Sequence, residues 1–252
     1  NEANDAAIMA AVCAQLRHCG YGDISLLDEE QLATLPLPDA DVYISMGRHE
    51  RTIALLADKE RNGCVVVNRA EAVGLCTRRC RLMTMLEEAG ISVPPAEGHN
   101  GYWVKRGDGC TETASHVRYA GDAATAQAMA DEMTKSGTTA VDIRAHIEGD
   151  VVKFSGVRGT TFFRCYATGG GRSQEQPHHY PFDAELLAET ADKIARMTAT
   201  DVYGGDCIVQ PDGRTVIIDW NDWPSFSRCR QEAATAIAQR IAQLIEKKEP
   251  TT

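Results

Sequence analysis

No apolar run in this chain approaches the ~20 residues that a membrane-spanning helix needs, so no membrane role is expected. The opening residues, Asn1-Glu-Ala-Asn-Asp5, carry neither the basic nor the apolar region of a secretory leader. There is no basic block: 26 Lys and Arg stand against 36 Asp and Glu, a formal net charge of −10. That balance argues against nucleic acid as a partner, although a site can be locally basic on an acidic protein. The nine cysteines contain no Cys-x-x-Cys. An odd number of thiols scattered over helices and strands fits a reducing compartment, and a cytoplasmic location is expected. Cys76 and Cys80 lie one helical turn apart, but no further ligands are spaced to complete a zinc site. A Walker-type P-loop and internal repeats are also missing.

What remains is an ordinary globular composition, 252 residues with 43% hydrophobic and 25% charged, enough for one large or two to three small domains. Helical and extended patterns alternate. A helix beginning at Asn4 or Asp5 places Ile8, Ala11, Val12 and Leu16 on one face and ends near Gly20. Asp23–Leu26, Val42–Met46 and Cys64–Val67 read as short buried strands of a β/α layer. The chain opens on a helix, so the first strand of such a layer is expected to be missing or to lie upstream. One amphipathic helix is predicted over about Glu71–Glu88, stopped by Gly90 and Pro94-Pro95. Strands are predicted at Tyr102–Lys105, Val117–Tyr119, Val141–Ile147 and Val151–Val157, with helices from Asp122 to Ser136, from Asp183 to about Thr198 and over about Gln231–Lys247. Two glycine-containing loops, after Lys105 and from Gly169 to Pro177, are expected to move.

The segment Asp206-Cys-Ile-Val-Gln-Pro-Asp-Gly-Arg-Thr-Val-Ile-Ile-Asp219-Trp-Asn221 carries the most chemistry. Asp212-Gly213 between two β-branched runs signals a two-residue hairpin turn. With that turn, Asp206 lies opposite Asp219 and Gly204 opposite Asn221, and Asp219 and Asn221 share a face. Directly opposed side chains have Cβ atoms roughly 4.5–5.5 Å apart, so two carboxylates there repel unless one is protonated or a cation bridges them. Two carboxylates and an amide suit Mg²⁺ shared with substrate phosphates. Lys105 ends a strand before a glycine-containing loop. Lys153 stands between Val152 and Phe154, either on a surface bulge or as an inward charge with a partner. Each is by itself more often a solvated strand residue; together with a Mg²⁺ hairpin they would neutralise a triphosphate. Arg158 and Arg164 could meet an anionic substrate or the transferring phosphoryl group, or be surface guanidiniums.

These residues resemble a known family. Val202-Tyr-Gly-Gly-Asp206 with Ile-Ile-Asp219-Trp-Asn221-Asp-Trp-Pro224 is similar to the C-terminal metal-binding signature of ATP-grasp proteins. Leu86-Glu-Glu-Ala-Gly-Ile-Ser-Val-Pro94, Trp103-Val-Lys105 and His146-Ile-Glu-Gly149-Asp-Val-Val-Lys153 resemble the lead-in helix, the first nucleotide strand and the adenine hinge with the next strand. The resemblance implies an α/β and α+β chain: a small Rossmann-like domain over 1–70, then two α+β subdomains, 71–147 and 148–252, with ATP sandwiched between them. It implies that Lys105 and Lys153 contact phosphates, that the backbone at Ala145, His146 and Ile147 meets adenine, and that Asp206, Asp219 and Asn221 hold Mg²⁺ or Mn²⁺. Arg164 and Lys153 become the catalytic candidates, Arg158 and Ser225 the substrate candidates. Arg144 stands where relatives often carry Gln, and Tyr102 follows Pro95 closely, as if a connecting piece were short.

Three functions follow from the resemblance. A ligase would activate a carboxylate as an acyl phosphate and couple it to an amine. A kinase similar to the inositol 1,3,4-trisphosphate 5/6-kinase branch would use the same ATP site, but would need a basic acceptor pocket. A nucleotide-binding module without turnover is the third. Small-molecule substrates are expected, and a homodimer is left open. Asp219→Asn is expected to abolish Mg²⁺-dependent turnover and leave the fold intact.

Overall fold

The computed structural model describes residues 2–33, 36–109, 116–170 and 177–247. Its helices are α1 (Glu2–His18), α2 (Glu50–Arg61), α3 (Ala70–Cys76), α4 (Arg79–Glu88), α5 (Ala123–Lys135), α6 (Ala184–Met197) and α7 (Arg230–Glu246). Its strands are β1 (Val42–Ile44), β2 (Val65–Val67), β3 (Tyr102–Arg106), β4 (Val117–Ala120), β5 (Val141–Ala145), β6 (Asp150–Val157), β7 (Phe163–Gly170), β8 (Val202–Val209) and β9 (Thr215–Asp222). Two of the expected N-caps form: the Asp122 carboxylate accepts from the Thr125 N–H, and that of Asp183 from the Glu185 and Leu186 N–H groups; α1 instead already runs from Glu2, with Asn4 and Asp5 inside its first turn. Among the described residues no helix is long and apolar enough to cross a membrane.

Three sheets result. β1 and β2 pair in parallel; β4-β3-β5 form an antiparallel sheet; β7-β6-β8-β9 form a larger antiparallel one. One face of the larger sheet packs Val152, Phe154, Tyr203, Cys207 and Trp220 against Leu82, Leu86, Leu187 and Ile194 of α4 and α6. On its other face, Val157, Val202, Trp223 and Phe226 join a core with Ile8, Val12 and Leu16 of α1 and Ala234, Ile237 and Ile241 of α7. The remainder of that face carries Lys153, Asp206, Asp219 and Asn221. The small sheet puts Tyr102, Val104 and Ala120 against Ala126, Ala130 and Met133 of α5, which turns Trp103, Lys105, Val117 and Tyr119 to its opposite face.

Four readings are corrected. Asp23–Leu26 is not a strand: Asp23 has φ 53°, and Leu26 and Leu27 are exposed, so the segment turns away from any strand partner. The preceding β/α layer therefore amounts to the single parallel unit β1-α2-β2. The long helix is two helices, because Arg78 leaves the helical region with φ −112° and ψ 70°. A strand, β7, runs over Phe163–Gly170, where none was expected. Lastly, the hairpin turn is not two residues long. The Gln210 N–H donates to Arg214 O, and Gly213, at φ 82°, sits in the left-handed region that favours glycine. This three-residue loop shifts the pairing by one, so that Val209 faces Thr215 and Cys207 faces Ile217. A bulge at Ile218 shifts it back. Asp206 then faces Asp219, and Gly204 faces Asn221, as expected. Of the two glycine loops, residues 110–115 and 171–176 lie outside the described residues.

Gly205 holds this rung tight. A Cβ there would lie 2.4 Å from Asp219 O and 2.6 Å from the Phe154 ring. Gly205→Ala is expected to cost about 2 kcal/mol and to lower Tm by roughly 4–8 °C in thermal unfolding. An unchanged Tm would show that the strands can separate there without cost.

Candidate active site

The cleft lies between the exposed faces of the two antiparallel sheets. Lys153, Asp206 and Asp219 occupy one rung of the larger sheet. Lys153 Nζ donates to both Asp206 oxygens at 2.8 Å. Across the cleft, Lys105 Nζ reaches over to Ile218 O at 3.2 Å, a carbonyl that the bulge turns out of the ladder. Arg79, the first residue of α4, donates to Asp219 Oδ1 at 2.5 Å and to Ile218 O at 3.4 Å. The break between α3 and α4 is what aims it there. The Asn221 amide donates to Asp219 Oδ2 at 2.8 Å, which leaves its carbonyl oxygen for another partner.

Electrostatics separate the two carboxylates. Burial opposes the charge on Asp219, but Arg79, Lys105 and the Asn221 hydrogen bond outweigh it and hold the carboxyl well below the usual carboxylate range. Burial pushes the Asp206 carboxyl up, only partly offset by Lys153, with Asp219 adding to the rise. Burial, then the neighbouring Arg79 charge, pushes Lys105 down. The repulsion expected between the aspartates is thus met by protein cations. Among the described residues no three His, Cys, Asp or Glu side chains gather to hold a metal. The donor set is instead two carboxylates and one amide oxygen, all facing one cleft. It fits Mg²⁺, which keeps several waters and takes one or two carboxylates with phosphate oxygens.

At the hinge, Ala145 and His146 donate their backbone N–H groups to Pro95 O and Gly101 O, both at 2.8 Å. His146 Nδ1 accepts from Trp103 Nε1 at 3.1 Å, and Tyr119 packs edge-on to both rings. Arg144, opposite Trp103, pairs its guanidinium with Asp142, Glu87 and Pro94 O. The short connection after Pro95 wedges beside the hinge, where Tyr102 Oη donates to Gly98 O at 2.6 Å.

The remaining candidates divide. Arg164 lies on the cleft face opposite Ser155, but its guanidinium pairs with Glu232 and packs over Phe162. Ser225 lies between Trp223 and Phe226, whose φ values of 40° and 48° mark a strained turn beside the signature. Arg158 stands apart, beyond the end of β6. Its Nη2 is 2.8 Å from Asp201 Oδ1, which Arg240 also engages at 2.7 Å. The Arg158 side chain is thus engaged in an ion triad with Asp201 and Arg240.

Three residues escaped the sequence reading. Arg79, Leu82, Met83 and Leu86 fall at helical spacing, so an arginine in an apolar stripe was the available signal for Arg79. Asp142 faces Lys105 in the register of the small sheet. Arg48, in the coil before α2, reaches Asp222 Oδ1 at 3.0 Å and gave no signal.

No protein-family model matches this chain, and no curated protein matches it. Solved structures do. The RimK domain ATP-grasp protein of Sphaerobacter thermophilus is 20% identical, with a TM-score of 0.67 over 93% of this chain and 95% of that one. A D-alanine–D-alanine ligase of Bacillus anthracis is 15% identical, with a TM-score of 0.63 over 97% and 92%. The VanG D-Ala:D-Ser ligase of Enterococcus faecalis is 17% identical, with a TM-score of 0.61 over 85% and 74%. Together with the two antiparallel sheets that face each other across a cleft, these likenesses establish that the chain has the ATP-grasp fold.

Proposed function

We propose that the protein is an ATP- and Mg²⁺-dependent ligase that activates a carboxylate as an acyl phosphate and couples it to an amine. The observation that carries this reading is the rung Lys153–Asp206–Asp219 facing Lys105 across the cleft. It gathers two cations for phosphate oxygens and an oxygen donor set for a divalent ion in one place. The likeness to ligases of D-alanine supports the reaction class.

Lys105 and Lys153 would bind the phosphate oxygens, with Lys153 exchanging Asp206 for phosphate. The hinge backbone at Ala145–Ile147 would meet the adenine edge. Asp206, Asp219 and the Asn221 carbonyl would hold Mg²⁺, which when bound neutralises phosphate charge. In the first step a substrate carboxylate oxygen bonds to the γ-phosphorus and the bond to the β-phosphate oxygen breaks, releasing ADP. In the second, the amine bonds to the acyl carbon, phosphate leaves, and the nitrogen loses a proton. Both steps raise negative charge on oxygens near the sheet face. Arg164, once released from Glu232, and Lys153 would meet that charge.

A second reading draws on Arg164 and on Arg228, whose guanidinium lies 4.3 Å from the Tyr166 ring centroid. These cations suit an anionic acceptor, and phosphoryl transfer to a hydroxyl of such a molecule would use the same ATP site. Hydroxylamine separates the two. For the ligase, candidate carboxylates with ATP and Mg²⁺ yield a hydroxamate, and phosphate release depends on an amine. ADP formation with no free phosphate and with a phosphorylated hydroxyl compound would overturn it.

A further inference from the structure

Behind the nucleotide cleft lies a second concavity. A groove of about 450 Å³ runs between α2 and the α3–α4 junction, within the size range of small-ligand sites. Ile53, Ala57, Ala70 and Leu75 give it apolar walls, and Arg61, Arg69, Arg78 and Arg81 surround it. Four guanidiniums on one groove are out of keeping with a chain of net charge −10.

Their partners account for only half of that charge. Arg61 pairs with Asp58 at 3.1 Å and Arg69 with Glu60 at 3.4 Å, and both arginines are more than half exposed. Glu60 also accepts from the Ala70 N–H. Glu71 lines the groove and is exposed. Among the described residues no carboxylate comes within ion-pair distance of Arg78 or Arg81, which both line the groove. Two like charges held together without an anion repel each other. The groove is separate from the cleft. Arg78 faces it, while Cys76, Thr77 and Arg79 line the other side of the same junction.

We propose that this groove is a second ligand site, which takes a small molecule bearing a carboxylate or phosphate group on a compact apolar body, with the anion held by Arg78 and Arg81. Calorimetric titration with inorganic phosphate and with glutarate tests it on the intact chain. One or both should bind wild type at a site whose affinity Lys153→Ala leaves unchanged. The double variant R78Q/R81Q, altered at two exposed positions, should bind at least about tenfold more weakly, the value of charge-assisted hydrogen bonds lost. The tighter of the two probes names the anion. Undiminished binding by the double variant, loss of binding in Lys153→Ala, or binding of neither probe to wild type would each overturn the proposal. The Lys153→Ala arm needs no assumption about ATP, so a wrong functional reading would leave this result standing.

Discussion

Replacing Asp219 with asparagine is expected to cut ATP-dependent turnover by at least about a hundredfold and to destabilise the ligand-free protein by about 3 kcal/mol. The sequence reading expected the first effect and an intact fold. The structure adds the second. Asp219 is the counter-charge of Arg79, whose side chain is 16% exposed, and it lies beside half-buried Lys105. Asparagine would leave two half-buried cations facing an amide. A loss of about 3 kcal/mol corresponds to a Tm lowered by roughly 6–12 °C for a chain of this size. The folded Asp219 carboxyl lies below its unfolded value, so its stabilising contribution is present above about pH 4 and is lost as pH falls through the folded value.

Asp206→Asn is the control that keeps the two effects apart. Its partner Lys153 has a side chain 47% exposed, and a cation released into water costs little. Burial already disfavours the charge on Asp206. Turnover should fall as in Asp219→Asn, measured at saturating ATP and Mg²⁺, while Tm stays within about 2 °C of wild type, under 1 kcal/mol. Full turnover in both variants would remove the pair from any metal site. Equal Tm values would show that Arg79 finds another anion.

The hairpin shows how a sequence can be read correctly for an incomplete reason. Asp212-Gly213 announced a turn, and the pairing of Asp206 with Asp219 followed from assuming two residues in it. The real loop has three, and the bulge at Ile218 restores the register. Nothing local in Val216-Ile-Ile announces that bulge. It is set by what the site requires of the Ile218 carbonyl, which accepts from both Lys105 and Arg79. Period-two alternation is present in Phe163, Cys165 and Ala167 against Arg164, Tyr166 and Thr168, so β7 is legible in the sequence. The break before Arg79 was only half legible. The helical spacing that places Arg79 among Leu82, Met83 and Leu86 ran unbroken through Arg78, and only a distant carboxylate, 140 residues on, makes the break worthwhile. Pairs as distant as Arg48 and Asp222 leave no trace in either sequence neighbourhood.

Asp201→Ala is expected to cost 3–5 kcal/mol, because it removes the single anion from between two arginines. Asp201 is 1% exposed and Arg240 6%. The carboxylate accepts from Arg158 Nε and Nη2 at 3.1 and 2.8 Å and from Arg240 Nε at 2.8 Å. Without it the Arg240 guanidinium, on α7, is left buried with a like charge for company. Tm should fall by roughly 6–20 °C. Arg158→Ala removes the more exposed arm and leaves the Asp201–Arg240 pair, so its loss should be the smaller, with acceptor KM unchanged. A tenfold rise in that KM would return Arg158 to the substrate site. The same guanidinium can grip a substrate carboxylate or a structural one with identical geometry. The carboxylate partners of Arg158 and Arg164 differ in burial: the side chain of Asp201 beside Arg158 is 2% exposed, whereas that of Glu232 beside Arg164 is 57% exposed.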